Sequence, residues 1–208
     1  MPSGGSARAS VDKERDPQQP NPPARSVGGV DEATLAGRAL GGDRGAFGEL
    51  VARYADQARR VARSVLQDPD DADDAAQDAF LAALVKLEQF DPSRPFGPWL
   101  MRIVANAATD RGRRRRVRRA EPLDEGLIAG GQRPDAVAER EVLGARLREA
   151  LAELPDRRRM AVVLFDVEGY SHTEIGEILG MPEGTVRSEV FHARRRLRTL
   201  LADWRDGG

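Results

Sequence analysis

Apolar residues in the first half of this chain recur at steps of three and four. Phe47, Leu50, Val51, Tyr54, Ala58, Val61, Ala62 and Val65 form one such series, and Ala72, Ala75, Ala76, Ala79, Phe80, Ala83, Leu84 and Leu87 form a second. Each series is one face of an amphipathic helix. Helical patterning begins at Asp31, with Asp43 and Asp70 placed as N-caps. The stretch FDPSRPFGP, Phe90 to Pro98, breaks the second of these helices, and a third starts with Pro98 at its first position. Its inward stripe is Leu100, Ile103, Val104 and Ala107. Beyond the breakers Pro122 and Pro134, with Gly130 and Gly131 between them, periodicity resumes with Leu143, Leu147, Leu151 and Leu154, then Met160, Val163, Leu164 and Val167. No strand pattern occurs, so the expected fold class is all-α: two small helical domains, 31–119 and 139–205, joined by a flexible linker at 120–138. Residues 1–30, rich in Pro, Gly and Ser, carry too little apolar surface to offset the entropy of ordering and are expected to form a disordered arm.

Composition narrows the function classes. The chain has 208 residues and no cysteine, which excludes disulfides and thiolate metal sites. The run Met160–Phe165 is far too short to span a bilayer, so a cytoplasmic protein without membrane insertion is expected. A net charge of -1 hides a strong polarisation. Asp68, Asp70, Asp71, Asp73, Asp74 and Asp78 form an acidic block, whereas Arg111, Arg113, Arg114, Arg115, Arg116, Arg118 and Arg119 form a basic one. Such blocks meet partners or lie on solvated helix surfaces.

The sharpest local signal lies near the C-terminus. Ser171 and Glu174 make a capping box, Ile175, Ile178 and Leu179 face inward, and Gly180 closes a short helix before Pro182 starts another. Short capped helix, tight glycine turn and second helix spell a helix-turn-helix, whose second helix enters a DNA major groove. Val186, Val190, Ala193, Leu197 and Leu200 form that helix's inward stripe. Arg187, Ser188, Phe191, His192, Arg194 and Arg195 face outward, and with Thr185 they are the candidate DNA contacts of this helix. Glu189 sits among them, where a carboxylate repels phosphate or accepts only from a cytosine amino group.

On the third helix Trp99, Arg102, Asn106, Asp110 and Arg113 share a face. An aromatic can stack an unpaired base, an amide can bond a base edge and arginines hold the backbone, which is the chemistry of melted nucleic acid. The candidate contacts there are Trp99, Arg102, Asn106, Arg113, Arg114, Arg115 and Arg116. The alternative for Trp99 is packing on Ile103 as an anchor at the helix start. The acidic block would repel DNA. It reads either as a magnesium site, for which no second ligand cluster is present, or as a docking surface for basic side chains, comprising Asp71, Asp74, Gln77, Asp78 and Phe80. The docking surface fits better.

Together these segments resemble the extracytoplasmic-function group of bacterial RNA polymerase sigma factors. DPDDADDAAQDAFLAAL is similar to the family's core-binding helix of region two, FGPWLMRIVANAATDRGRRRR to its promoter-melting and minus-ten segment, and GYSHTEIGEILGMPEGTVRSEVFHARRRL to its region four; the likeness covers about 43–201. The resemblance implies that Asp74, Gln77 and Asp78 dock on the polymerase clamp helices, with region four on the flap. It places Asn106 near the flipped minus-ten base and the loop Phe90 to Gly97 around the base pocket. It makes Arg187, Ser188 and Arg194 minus-thirty-five contacts, and threads the linker, with Glu121, Asp124 and Glu125, through the active-site channel. Partners implied are core RNA polymerase, promoter DNA and an anti-sigma factor; catalytic residues, cofactors and metals are not. The chain departs from the family at Glu189, often basic there, at Phe191 and His192 in place of a His-Arg pair, and at Gly176 in place of alanine, which lowers helix propensity by about 1 kcal/mol. The rival classes are a stand-alone helix-turn-helix regulator, which predicts palindromic operators and binding without polymerase, and a magnesium-dependent enzyme built on the aspartates.

Overall fold

Asp31 accepts a hydrogen bond from the Thr34 N–H and so starts the first helix, α1 (Glu32–Leu40). The computed structural model describes residues 31–66, 68–120 and 136–205, and every regular element among them is helical. After α1 come α2 (Arg44–Leu66), α3 (Pro69–Val85), a 3-10 turn (Leu87–Gln89) and α4 (Phe96–Ala120). The second half holds α5 (Ala136–Ala152), α6 (Asp156–Val162), a π turn (Val163–Val167), α7 (His172–Leu179) and α8 (Glu183–Arg205). The expected arm at 1–30 and most of the expected linker, including Glu121, Asp124 and Glu125, lie outside the described residues.

Two helix starts differ from the sequence expectation, each for a physical reason. Asp43 does cap α2, accepting from the Ala46 N–H at 3.1 Å. Asp68, not Asp70, caps α3, accepting from the Asp70 and Asp71 N–H groups at 3.1 and 3.2 Å. Pro69 occupies the first helical position and holds the residue before it extended, which is the conformation an N-cap needs. Helix α4 starts at Phe96 rather than Pro98, because the Phe96 N–H donates to the Glu32 carboxylate at 2.8 Å. A partner 64 residues away thus satisfies a helix-end donor that the local sequence leaves open.

Helices α1 to α4 pack together, and α6, α7 and α8 form a second group; α2 meets α6 and α4 meets α7. The buried residues of both groups therefore belong to one cluster, in which Leu50, Val61, Leu100, Met101 and Val104 join Leu164, Phe165, Ile175, Ile178 and Val186. A smaller cluster of Leu154, Val162 and Ala193 lies beside it, with Leu151 and Leu197 packed on it. Periodicity places some residues on the wrong side: Leu84, Leu143, Leu147 and Val167 are exposed. A stripe identifies a helix face, but burial also requires a neighbouring element to cover it.

Polar groups stitch the two halves together. Glu168, with a side chain only 2 % exposed, accepts from Arg60 Nε at 2.6 Å, Arg60 Nη2 at 2.9 Å and Gln57 Nε2 at 3.1 Å. The Tyr170 hydroxyl donates to Gln57 Oε1 at 3.0 Å, and the Tyr54 hydroxyl donates to Glu32. Both hydroxyls approach Gly97, where a Cβ would lie 2.8 Å from that of Tyr54 and 3.0 Å from that of Tyr170, so a side chain there would force the rings to shift.

The capping box of α7 forms as expected, with the Glu174 N–H donating to Ser171 Oγ at 3.2 Å and the Ser171 N–H to Glu174 Oε2 at 2.8 Å. Gly180 ends the helix at φ 63°, the left-handed region. Gly176 has a role that propensity does not disclose: a Cβ there would lie 2.7 Å from the Met181 carbonyl oxygen. Propensity alone predicts that Gly176→Ala stabilises by about 1 kcal/mol. The close approach of α7 to the turn instead predicts a net loss of about 1–2 kcal/mol, since a backbone atom must move. Urea midpoints of the two proteins check this, and a stabilised alanine variant would rule out the tight contact.

Candidate polymerase and nucleic-acid interfaces

The acidic and basic blocks, far apart in sequence, meet across α3 and α4. Arg111 donates to Asp71 through Nε at 3.0 Å and to Asp74 through Nη2 at 2.6 Å, and stands 3.6 Å from Asp78. Its hydrogen bond to Asp71 is the largest of the influences that hold its guanidinium above the usual range. Arg115 pairs with Asp71 and, at 3.2 Å, with Asp68. The arginine run is thus divided by helix geometry. Arg111 and Arg115, four apart, face α3, Arg116 pairs with Asp156 of α6, and Arg113 and Arg114 are exposed, Arg113 lying 3.5 Å from Asp110. In the predicted docking set, Asp74 and Asp78 stay 61 % and 67 % exposed, Gln77 is exposed, Asp71 is largely covered by its arginines and Phe80 is partly buried against the core. Among the described residues no group of three or more His, Asp or Glu side chains is arranged to hold a metal ion.

Exposed Leu81, Leu84 and Val85 continue α3 beyond the carboxylates. Sequence reasoning missed this apolar end, because Leu84 fits the inward period and Leu81 and Val85 carry no signal of their own.

Trp99 anchors the start of α4 against two phenylalanine rings. Its ring sits 5.2 Å from Phe90 and 5.3 Å from Phe96, whose rings are 5.4 Å apart. Packed this way, the indole is held in place yet only half-buried, while Arg102 and Asn106, one and two turns along, are exposed. The predicted face therefore exists as a rigid edge of indole followed by a guanidinium and an amide.

On α8, Val186, Val190 and Ala193 are buried, and Thr185, Arg187, Ser188, Phe191, His192 and Arg195 are exposed together, Phe191 at 62 %. Arg187 is steadied by Glu183 one turn earlier, at 2.8 Å. Arg194 differs from its neighbours. It forms a forked pair with Asp166, its Nε donating at 2.9 Å, and lies 5.0 Å over the Phe165 ring. The same ring stacks on His172 at 4.3 Å; burial, followed by the charge of Arg187, pushes the His172 imidazole below its ordinary range. Glu189 accepts from Arg158 Nε of α6 at 2.6 Å. Residues missed by the sequence reading are those that act across helices: Arg158, Arg159, Glu168 and Arg60. Their type and position give no local signal.

The described helices include none long and apolar enough to cross a membrane. Residues 50–118 match the family described as Sigma-70 region 2, and residues 144–197 match Sigma-70, region 4. The chain is 39 % identical over 182 residues to the ECF RNA polymerase sigma factor SigM of Mycobacterium tuberculosis, covering 86 % of this chain and 90 % of that one. The solved structure of CnrH in complex with the cytosolic domain of CnrY superimposes with a TM-score of 0.65 at 33 % identity, covering 83 % of this chain and 97 % of that one. The sigma factor RpoE from Bartonella quintana, solved with the anti-sigma factor NepR, gives a TM-score of 0.59 at 25 % identity, covering 75 % and 96 % of the two chains. With both family regions present in order and relatives matched over nearly their full length, this chain belongs to the ECF sigma factors, the non-enzymatic initiation factors that direct RNA polymerase to promoters.

Proposed function

We propose that the two halves of this sigma factor divide the work of promoter recognition, with residues 31–119 docking on core polymerase and opening the minus-ten element and residues 139–205 reading the minus-thirty-five element. The observation that supports this most is the outward face of α8, where Thr185, Arg187, Ser188, Phe191, His192 and Arg195 are exposed together behind a capped α7 and a left-handed Gly180 turn. That is the geometry of a helix presented to a major groove. Trp99, Arg102, Asn106, Arg113 and Arg114 supply a stacking edge, an amide and cations where strands separate, with Arg115 and Arg116 released from their carboxylates or left as structural pairs. Arg194 then serves by bracing α8 on Asp166 as much as by touching DNA. The exposed carboxylates Asp74 and Asp78, with Gln77 and the apolar end of α3, offer a surface for basic and apolar groups of the clamp helices. An anti-sigma partner competes for these surfaces, and the site of action is the cytoplasm, where core polymerase works.

Each small basic face makes few phosphate contacts, so the free chain is expected to bind duplex DNA weakly until polymerase holds both halves at once. The test is co-purification with core RNA polymerase, comparing wild type with Asp74→Arg/Asp78→Arg. We expect the wild type to be retained and the charge-reversed protein to lose at least tenfold in retention, with its helical content and thermal midpoint checked because Arg111 would lose partners. Failure of both to bind core, together with tight binding of free wild type to duplex, would replace this reading with a stand-alone regulator.

A further inference from the structure

A carboxylate among DNA-facing residues is normally a liability, and Glu189 lies one turn from both Thr185 and His192 on α8. The structure gives that carboxylate a partner from another helix. Arg158 of α6 donates Nε to Glu189 Oε2 at 2.6 Å, with the two side chains 30 % and 26 % exposed. We propose that Glu189 is a positioning residue for Arg158, and that Arg158 contacts a phosphate flanking the groove that α8 enters. The proposal rests on the reading of α8 as the minus-thirty-five helix.

Three observations carry it. First, the pair uses only Nε of the guanidinium, and among the described residues no hydrogen bond engages Arg158 Nη1 or Nη2. Those two nitrogens form one edge of the fork, the edge that grips a phosphate in a bidentate contact. Second, Glu189 lies beside Ser188 in the first two turns of α8, the part of a recognition helix that approaches the bases, so the anchored guanidinium stands at the rim of that groove. Third, two of the other cations near this face are already engaged within the protein. Arg187 is bound to Glu183, and Arg194 to Asp166. Glu189 joined to Arg158 adds no net negative charge and presents two donors, so the residue that would repel a phosphate becomes the support of one that attracts it.

The repulsion and positioning accounts of Glu189 predict opposite signs. The probe is the duplex that wild-type holoenzyme enriches from a pool randomised across the minus-thirty-five region, and affinity of reconstituted holoenzyme is measured from about 50 to 200 mM salt. Losing one phosphate contact lowers the slope of log affinity against log salt by about 0.9, so Arg158→Ala should lose about 3.5-fold less affinity than wild type across that range. Arg158→Lys, which keeps the charge, should restore most of the slope. Glu189→Ala should weaken binding severalfold, and adding it to Arg158→Ala should change nothing further, because the two act as one unit. A purely structural pair would not alter the salt slope. Tighter binding by Glu189→Ala, or a wild-type slope in Arg158→Ala, overturns the proposal. Arg187→Ala serves as the reference: if it too leaves upstream binding unchanged, the assignment of α8 itself fails, and the pair falls with it.

Discussion

Arg159→Ala is expected to destabilise the protein by about 3–5 kcal/mol, more than any other single change considered, although Arg159 touches neither of the proposed interfaces. Its guanidinium is buried, with a side chain 6 % exposed. Nη1 donates to the Ser64 carbonyl at 2.9 Å, and Nη2 donates to the carbonyls of Ala152 and Leu154 at 3.0 and 2.7 Å. One side chain therefore ties the end of α2 to the end of α5 and to the turn that leads into α6. Truncation leaves acceptors without donors, at about 1–3 kcal/mol for each one that stays buried, and opens a cavity where the stem packed. Burial also depresses the guanidinium's own affinity for its proton, so the native arrangement already carries a desolvation cost, and its Nε has no hydrogen-bond partner. Arg159→Met separates the contributions: it fills most of the volume but donates nothing, and should lose roughly half as much stability as the alanine. Urea unfolding monitored by helical circular dichroism measures both. A loss below about 1 kcal/mol for the alanine would mean that the halves are not held through this group.

Above about pH 10 the protein should lose stability steeply, at up to about 1.4 kcal/mol per pH unit for each of two tyrosines. Tyr54 and Tyr170 are the only tyrosines in the sequence, and both lie where the two halves meet. Burial is the main cause that raises each phenol well above its ordinary value. For Tyr54 the hydrogen bond to Glu32 adds to it, and for Tyr170 the carboxylates of Glu168, Glu174 and Glu32 add to it, against a small opposing influence from Gln57. Below pH 10 both states are protonated and nothing changes; above it the unfolded chain releases two protons that the folded chain keeps, so rising pH draws the equilibrium toward unfolding. Thermal midpoints should be flat from neutral pH to about 9.5 and then fall, with phenolate absorbance rising only as helicity is lost. Tyr54→Phe/Tyr170→Phe should flatten the alkaline limb. Gradual ionisation of either phenol in a fully helical protein would contradict their burial.

Local features of this molecule were legible because helix geometry fixes the distance between near neighbours. Ser171 and Glu174 lie three apart and close the capping box, Gly180 takes the left-handed turn, and Val186, Val190 and Ala193 fall on one buried stripe, all without reference to the rest of the fold. The same logic failed where a partner was required. Leu143 and Leu147 keep the period yet stay exposed on α5, and Asp70 gave way to Asp68 as a cap because Pro69 took the first helical position.

Charge was the least legible property. Two blocks that read as a docking surface and a nucleic-acid face divide instead, Arg111 and Arg115 turning onto Asp71 and its neighbours while Arg113, Arg114, Asp74 and Asp78 remain exposed. Nothing in the run of arginines distinguishes its members. The division arises because α3 lies against one side of α4.

Helix positions, the helix-turn-helix and the family likeness were already encoded in residue types at short, fixed spacings. Packing of the helices instead set which charges are available, why a side chain at Gly97 would crowd Tyr54 and Tyr170, and that Glu168, Arg159 and Arg158 matter at all. Arg158 meets Glu189 across 31 residues of sequence, Arg159 meets the Ser64 carbonyl across 95, and Arg60 meets Glu168 across 108. No local pattern encodes such meetings; they follow from how whole helices pack, which is settled by the apolar faces rather than by the polar groups that end up between them.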